Sequence, residues 1–180
     1  MASDAPTVEP TDEKAFRTCL GQFPTGVCIV TADVGGELAG MTISSFNSLS
    51  LSPPLVLFSI DRKALGLALW ERAEAIAINM LSESQQALSN RFALPGGNKW
   101  EGLQFTRGLG GTPLLAGCVA TLECTAHGRQ DAGDHRLVVA EVRRFTANPA
   151  RAPLVFCKGA YNALKPQNEP AALWPLDIHY

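Results

Sequence analysis

The segment "GMTISSFNSLSLSPPLVLFSI", residues 40–60, places small hydrogen-bonding side chains beside residues that suit a buried strand. Its hydroxyl and amide groups lie at Thr42, Ser44, Ser45, Asn47, Ser48, Ser50 and Ser52. Hydroxyls and free backbone N–H groups can bind an anion or the polar edge of a planar heterocycle. The residues alone leave a second interpretation open, an edge strand whose solvent-exposed face carries hydroxyls.

The chain lacks the common catalytic signatures. It has no GxSxG nucleophile elbow, no GxGxxG or GxxxxGK[ST] phosphate-binding loop and no paired-carboxylate pattern. Its three histidines and five cysteines do not form a cluster with metal-ligand spacing, so we predict no metal site. Because no cysteine pair has CxxC spacing and each lies in an apolar pattern, we expect buried free thiols.

The composition indicates one compact domain. The 180 residues are 46% hydrophobic and 18% charged, with a formal net charge of −2, which argues against disorder. No basic stripe suggests a nucleic-acid partner. The apolar runs are too short to cross a bilayer, and residues 1–12 carry no secretory h-region. We therefore expect no membrane partner and a cytoplasmic location.

The elements that would position the serine-rich segment are mainly strands. Helices are predicted over 13–23, over 62–73 and from Ser82 to Ala93, where Ser82 and Gln85 have capping-box spacing. Strands are predicted over 26–32, from Leu38 to Phe46, and over 54–60, 75–81, 118–130, 135–147 and 153–164. Residues 94–102 read as a loop that is exposed or binds a ligand.

Connection lengths indicate mostly antiparallel pairing of about six strands, and favour a small closed barrel over a sandwich. We expect a flexible N-terminal tail (1–12), one domain (13–164) and a C-terminal extension (165–180) that lies over a surface or a partner subunit. Asn79, within a strand that suits the core, must find hydrogen-bond partners there.

Five sequence blocks occur in the order of one known family. The blocks are "FRTCLGQFPTGVCIVTA", "GMTISSFNSLSLSPPLVLFSI", "AIAINMLSESQQALSNRFA", "GDHRLVVAEV" and "PLVFCKGAY". With them the chain resembles, over roughly residues 14–164, the short-chain flavin reductases of two-component monooxygenases. That group contains the reductase partners of 4-hydroxyphenylacetate, phenol and styrene monooxygenases.

The resemblance implies a mainly β fold, the FMN-binding split β-barrel of Greek-key type with short flanking helices, and a homodimer. It implies FMN or FAD as the flavin, NADH or NADPH as the hydride donor, and release of reduced flavin to an oxygenase component. Two alternatives stay open: a flavoenzyme of the same fold that retains its flavin and acts on another substrate, and a non-enzymatic module that binds flavin or haem.

The resemblance also implies site residues. The flavin would contact Leu38, Ala39, Gly40, Met41, Thr42, Ser44, Ser45, Ser59, Ile60, Asp61, Lys63, Arg91 and Phe92. The nicotinamide nucleotide would contact His135, Phe156, Cys157, Lys158, Gly159 and Tyr161, with His135 as the catalytic residue. Gly40 would let the backbone approach a flat ring.

The chain departs from the family pattern in two places. A Ser/Thr-rich segment that holds phosphate in the family is "RKALG" here, residues 62–66, which leaves Arg62 and Lys63 as cations. Lys158 stands where the family has arginine, which keeps the charge but removes the bidentate geometry. The first departure puts phosphate affinity in doubt.

Overall fold

The structure is a computed structural model that describes residue 7 and residues 9–165. Its helices are α1 (Glu13–Leu20), α2 (Leu67–Arg72) and α3 (Gln86–Ala93), with 3-10 turns at Glu83–Gln85 and Leu109–Gly111. Its strands are β1 (Thr25–Gly26), β2 (Cys28–Val34), β3 (Glu37–Ile43), β4 (Asn47–Leu51), β5 (Pro54–Asp61), β6 (Ala75–Met80), β7 (Phe105–Arg107), β8 (Pro113–Leu115), β9 (Ala120–Ala132), β10 (His135–Ala147), β11 (Val155–Cys157) and β12 (Ala160–Asn162).

Seven strands form one antiparallel sheet in the order β3-β2-β6-β9-β10-β5-β4. Its two outer strands follow each other in sequence. Laid flat, six inter-strand spacings would separate those edges by roughly 29 Å, whereas the chain from Ile43 to Asn47 reaches at most about 14 Å. The sheet must therefore curl back on itself, in agreement with the mainly β, flanking-helix fold class that the sequence predicted.

The concave face of the sheet holds the main hydrophobic core. Phe58, Ile60, Ile76, Ile78 and Val138 are almost completely buried there. The α2 helix covers one end because Trp70 is buried and packs edge-to-face on Phe58, with ring centroids 6.2 Å apart. The same face opens at its other end, where half-buried apolar side chains adjoin a surface groove.

A second core cluster lies on the convex face, where α3 and the chain termini of the domain pack. It contains Ile29, Leu81, Phe92 and Leu154, with Trp100 packed against them. The predicted capping box is present: Gln85 Oε1 accepts a hydrogen bond from the Ser82 backbone N–H at 3.0 Å. The helix predicted from Ser82 to Ala93 is thus confirmed as a 3-10 turn followed by α3.

The structure differs from the predicted elements in several places. The helix expected over 13–23 ends at Leu20, and the strand expected from Leu38 to Phe46 ends at Ile43. The helix expected over 62–73 begins only at Leu67. The final strand expected over 153–164 is a hairpin of β11 and β12, because Lys158 and Gly159 both have positive φ angles and reverse the chain. The β7–β8 hairpin was not predicted, since its strands are too short to show periodicity.

Asn79 and Thr31 hold this unpredicted hairpin against the main sheet. The Asn79 amide donates to the Ile29 carbonyl at 3.0 Å and accepts from the Leu115 N–H at 2.9 Å. The Thr31 hydroxyl donates to the Pro113 carbonyl at 2.6 Å. Both side chains are completely buried, so the expectation that Asn79 is satisfied inside the fold is confirmed.

The five cysteines are free thiols, but only Cys28 and Cys124 are buried as expected, and Cys118 and Cys157 are half-buried. Cys19 is exposed on α1, whose apolar face has no cover among the residues that the structure describes. Burial raises the pKa of the Cys28 and Cys124 thiols to about 12, because desolvation disfavours the thiolate.

Two features are absent from the described residues. None of their helices has the length and apolar character needed to cross a bilayer. Their His, Cys, Asp and Glu side chains form no group of three or more that could hold a metal ion. Residues 1–6 and 8 of the predicted N-terminal tail and residues 166–180 of the predicted C-terminal extension lie outside the residues described.

Replacing the buried amide tests its structural role. Asn79→Ala should lower the free energy of unfolding by about 3 kcal/mol, because it leaves buried backbone groups on two elements without partners. Urea unfolding followed by circular dichroism measures this. Asn98→Ala, at an exposed loop position, is the matched control and should change stability by less than about 0.5 kcal/mol. Equal effects for the two variants would refute the role.

Candidate functional site

A cleft with a volume of about 450 Å³ runs along β3. Residues 37–42 of β3 form its floor, and residues 64–66 with the start of α2 form one wall. The end of α3 and the following loop, residues 92–100, form the other wall. The structure thus places six predicted flavin contacts in the lining of one cleft, namely Leu38, Ala39, Gly40, Met41, Thr42 and Phe92.

The floor of the cleft is an edge strand. β3 pairs only with β2 in the sheet, so alternate peptide groups point away from β2 and are available to other partners. Two contacts already cover part of this edge. Trp100 Nε1 donates to the Leu38 carbonyl at 3.3 Å, and the Thr42 hydroxyl donates to the Ser89 carbonyl of α3 at 2.7 Å.

Gly40 is required by aromatic packing. A Cβ atom at this position would lie 2.5 Å from the Phe92 ring and 2.8 Å from the Trp100 ring, so any larger residue would displace them. That Gly40 also lets the backbone approach a flat ligand ring stays a prediction. Phe92 is only 1% exposed and packs edge-to-face on Trp100 at 5.0 Å, and it is also among the residues that line the cleft.

The serine hydroxyls of residues 40–60 make different contacts. Ser45 Oγ accepts from the Ser59 N–H at 3.0 Å and donates to the Ser59 carbonyl at 3.2 Å. This pair of bonds ties the crossing between β3 and β4 to β5. Ser44, by contrast, is exposed at that crossing, and Ser48 and Ser52 are exposed on and after β4.

The segment that leads into the first wall, residues 61–63, begins at the end of β5. Asp61 Oδ1 accepts from the Lys63 N–H at 2.7 Å, and the Arg62 N–H donates to the Asp134 carbonyl at 3.0 Å. Asp61 also lies opposite His135 in the β5–β10 register. The tip of the β9–β10 hairpin is therefore attached to the segment that forms this wall. The Ile60 side chain is completely buried, so only its backbone faces outward.

His135 is oriented by its sequence neighbour. Its Nδ1 lies 2.7 Å from Asp134 Oδ1, and the hydrogen bond with His135 holds the pKa of the Asp134 carboxyl below its usual value. An ionised carboxylate only accepts, so Nδ1 is the donor and Nε2 is left free. The ring is 42% exposed and can therefore contact a molecule from solution.

Arg91 holds the loop of the second wall. Its guanidinium donates to the backbone carbonyls of Asn98 and Glu101. These carbonyls lie on both sides of Lys99, whose Nζ donates to the Phe92 carbonyl at 3.0 Å. The structure thus places Arg91 behind the loop, while Lys99, which the motifs did not identify, lines the cleft.

The predicted nicotinamide-nucleotide contacts lie together on the β11–β12 hairpin, except for His135 at the β9–β10 tip. The Tyr161 hydroxyl donates to Asn90 Oδ1 at 2.9 Å and lies 2.8 Å from Ser89 Oγ. Phe156 packs edge-to-face on Tyr161 at 5.5 Å. The Lys158 N–H donates to the Gly21 carbonyl at 2.8 Å, so this hairpin contacts α3 and the end of α1.

Sequence reasoning missed several residues that line the cleft, namely Ala64, Leu65, Gly66, Leu69, Lys99 and Trp100. One signal was available, because the loop 94–102 combines glycines with a lysine and a tryptophan. The sequence did not show that this loop turns toward the cleft. The contacts of Arg91 and Trp100 determine that direction.

The chemical character of the cleft suits a flat molecule with polar edges. Leu69, Trp70, Leu94 and Pro95 give it apolar walls, against which an aromatic ring system can pack. The free peptide groups of β3 can hydrogen-bond with ring carbonyl and nitrogen atoms. Lys99 supplies a positive charge. These donors fit an isoalloxazine ring and a phosphate.

Comparisons with known proteins agree with this geometry. The family model described as flavin reductase like domain matches residues 20–165. A flavin reductase of Pseudomonas putida is 41% identical over 151 residues, which covers 83% of this chain and 89% of that protein. The reductase subunit HsaB of a flavin-dependent monooxygenase of Rhodococcus jostii is 35% identical over 174 residues, which covers 97% of this chain and 89% of that one.

A solved structure shares the fold closely. The NADH:FAD oxidoreductase of Streptomyces globisporus, in complex with NAD and FAD fragments, superposes with a TM-score of 0.87 at 35% identity. The match covers 92% of this chain and 100% of that chain. A family match over most of the chain, together with these identities, shows that the chain belongs to the family of flavin-reductase-like domains.

Proposed function

We propose that this chain is an NAD(P)H:flavin oxidoreductase that reduces FMN or FAD and supplies the reduced flavin to the oxygenase component of a two-component monooxygenase. One observation carries the proposal: the edge strand β3 presents free peptide groups to a cleft with apolar walls. Family membership and relatives named as flavin reductases and monooxygenase reductase subunits support it.

In this proposal, the backbone of residues 38–42 binds the polar edge of the flavin ring, and the apolar walls contact its faces. The flavin itself would supply the chemistry by accepting a hydride from the nicotinamide. The protein would hold the two rings in contact and exclude water between them. Ser45 and Ser59 would act by fixing the crossing beside the cleft, while Ser44, Asp61 and Lys63 would provide further flavin contacts.

His135 would contact the nicotinamide nucleotide at the cleft entrance. Asp134 orients its ring, and the backbone link from Arg62 to Asp134 joins the hairpin tip to the cleft wall. The residues of the β11–β12 hairpin would provide further contacts to the nucleotide. Because that hairpin packs on α1 and α3, it would meet the nucleotide on a different side from His135.

We also propose a homodimer, located in the cytoplasm. A groove of about 680 Å³ opens beside β4 and β10, and its inner side chains Phe46, Met80, Leu122 and Val142 adjoin the main core. Leu51 and Phe145 at this groove are 65% and 71% exposed. A second copy of the chain that covers this face would close the open end of the core.

The function is tested by steady-state oxidation of NADH and NADPH with and without free FMN or FAD. We expect a rate that rises and saturates with added flavin, because the flavin is a diffusing substrate in this proposal. Nicotinamide absorbance gives the rate, and the two flavins can be ranked. Absence of oxidation with every combination would refute the reductase function. Flavin that stays bound through gel filtration would indicate the retained-flavin alternative.

Replacing the oriented histidine tests the nicotinamide contact. His135→Ala should lower kcat/KM for NAD(P)H about tenfold, the effect of losing one polar contact to a charged or polarised group, while the flavin dissociation constant stays unchanged. The matched control is His127→Ala, an exposed histidine on the neighbouring strand β9. Unchanged turnover in His135→Ala would remove this residue from the site.

A charge on the exposed groove tests the homodimer. Phe145→Glu should shift the protein to monomer in light scattering, because the partner would have to bury a carboxylate. Thr146→Glu adds the same charge on the opposite face of the same strand and should leave the dimer intact. A wild-type monomer, or dissociation of both variants alike, would contradict the proposed interface.

A further inference from the structure

The β9–β10 hairpin that carries His135 is joined to α2 by an ion-pair network centred on Arg136. Successive side chains of a strand alternate between its faces, so Arg136 lies on the face of β10 opposite to His135, the face on which Val138 is buried in the main core. Arg136 Nη2 donates to Glu71 Oε2 of α2 at 3.0 Å, and its Nε lies 2.7 Å from Glu71 Oε1. Two guanidinium nitrogens thus face the two carboxylate oxygens, the bidentate geometry that fixes both side chains in direction.

A second carboxylate, on the hairpin itself, completes the network. Arg136 Nη1 donates across the β9–β10 pair to Asp131 Oδ1 at 3.0 Å. Asp131 Oδ2 also lies 3.8 Å from Arg62 Nη1, and the Arg62 N–H donates to the Asp134 carbonyl at 3.0 Å. The hairpin tip is therefore joined both to α2 and to the segment that leads into the first wall of the cleft.

The α2 helix depends on these contacts for its position. It has six residues, and its N-cap residue makes no side-chain hydrogen bond, whereas isolated helices of this length do not form in water. Arg129 of β9 donates to the carbonyls of Trp70 and Ala73 at the C-terminal end of α2, and Arg136 pairs with Glu71. The helix is thus held by the packing of Trp70 in the core and by two arginines of the hairpin.

Two parts of the proposed site therefore depend on one side chain. His135 is the residue before Arg136 in β10, and Leu69 and Trp70 of α2 line the cleft. The side chains of Arg136 and Glu71 are 25% and 35% exposed, so salt screens this pair less than a fully exposed one. Because hydride transfer needs the two rings in near contact, a small displacement of either part should slow it strongly.

We infer that Arg136 is a positioning residue: its pairing with Glu71 fixes the hairpin tip that carries His135 relative to the α2 wall, and thereby aligns the nicotinamide with the flavin. The inference rests on the proposed function, because it needs both rings in this cleft. One rival explanation gives the ion pair a role in stability alone. Another makes the Arg136 guanidinium a direct contact of the nicotinamide nucleotide.

Single-turnover reduction of enzyme-bound FMN or FAD by NADH, followed by flavin absorbance in a stopped-flow instrument, separates these explanations. Arg136→Met keeps the length of the side chain and removes its charge. It should lower the rate constant of flavin reduction roughly tenfold, while the dissociation constants of flavin and NADH stay unchanged. Arg136→Lys should restore part of the rate because it keeps the charge.

Breaking the same pair from the other side gives a second test. Glu71→Gln should lower the rate constant to a similar extent, although Glu71 does not line the cleft. The double variant of Arg136→Met and Glu71→Gln should be no slower than either single one, because each already removes the interaction. The matched control is Arg107→Met, which removes an ion pair with Asp33 at a position outside the cleft lining and should leave the rate constant unchanged.

Three results would overturn the inference. A lower Tm of Arg136→Met with an unchanged rate constant would indicate a role in stability alone. A raised dissociation constant for NADH with an unchanged rate constant would indicate direct contact with the nucleotide. Additive losses in the double variant would show that the two residues act independently. Each of these leaves the reductase function intact, whereas wild-type protein that reduces neither flavin with NADH or NADPH would refute the proposed function and the inference together.

Discussion

The crossing from β3 to β4 constrains the rest of the molecule. The two strands lie at opposite edges of a seven-stranded sheet, yet only residues 44–46 separate them in sequence. The sheet can satisfy this only by curling, and the paired bonds between Ser45 and Ser59 fix the curled form. Curling encloses the main core on the concave face and leaves β3 as an edge strand with its outer peptide groups unpaired by the sheet.

The contacts that cover the outer edge of β3 decide which part of this strand can bind a ligand. The α3 helix and the loop after it cover part of β3 through Thr42, Phe92 and Trp100. The uncovered part becomes the floor of the cleft. Gly40 lies where the two regions meet, and its missing side chain lets the aromatic rings pack on the strand. The aromatic rings thus cover one part of the outer edge of β3. The cleft is limited to the part that remains uncovered.

The charges around the cleft are few and each is held by local structure. Asp134 orients His135 at the tip of the β9–β10 hairpin, and Arg91 supports the loop that carries Lys99. A reaction whose chemistry resides in the flavin and the nicotinamide needs little more from the protein than orientation and electrostatics. The scarcity of ionisable groups in the cleft agrees with that division of labour.

The sequence by itself determined the strand-rich fold class, the capping box at Ser82, the buried amide of Asn79 and the family, because these depend on local spacing and on ordered blocks of residues. It could not decide which groups face the cleft. The resemblance implied Gly40, Phe92 and Arg91 as flavin contacts, and it did not single out Lys99 within the 94–102 loop. Their roles depend on the contacts among β3, α3 and the 94–102 loop, which lie far apart in sequence. Only the curl of the sheet, which depends on contacts between residues far apart in sequence, brings those elements together and sets the direction of each side chain.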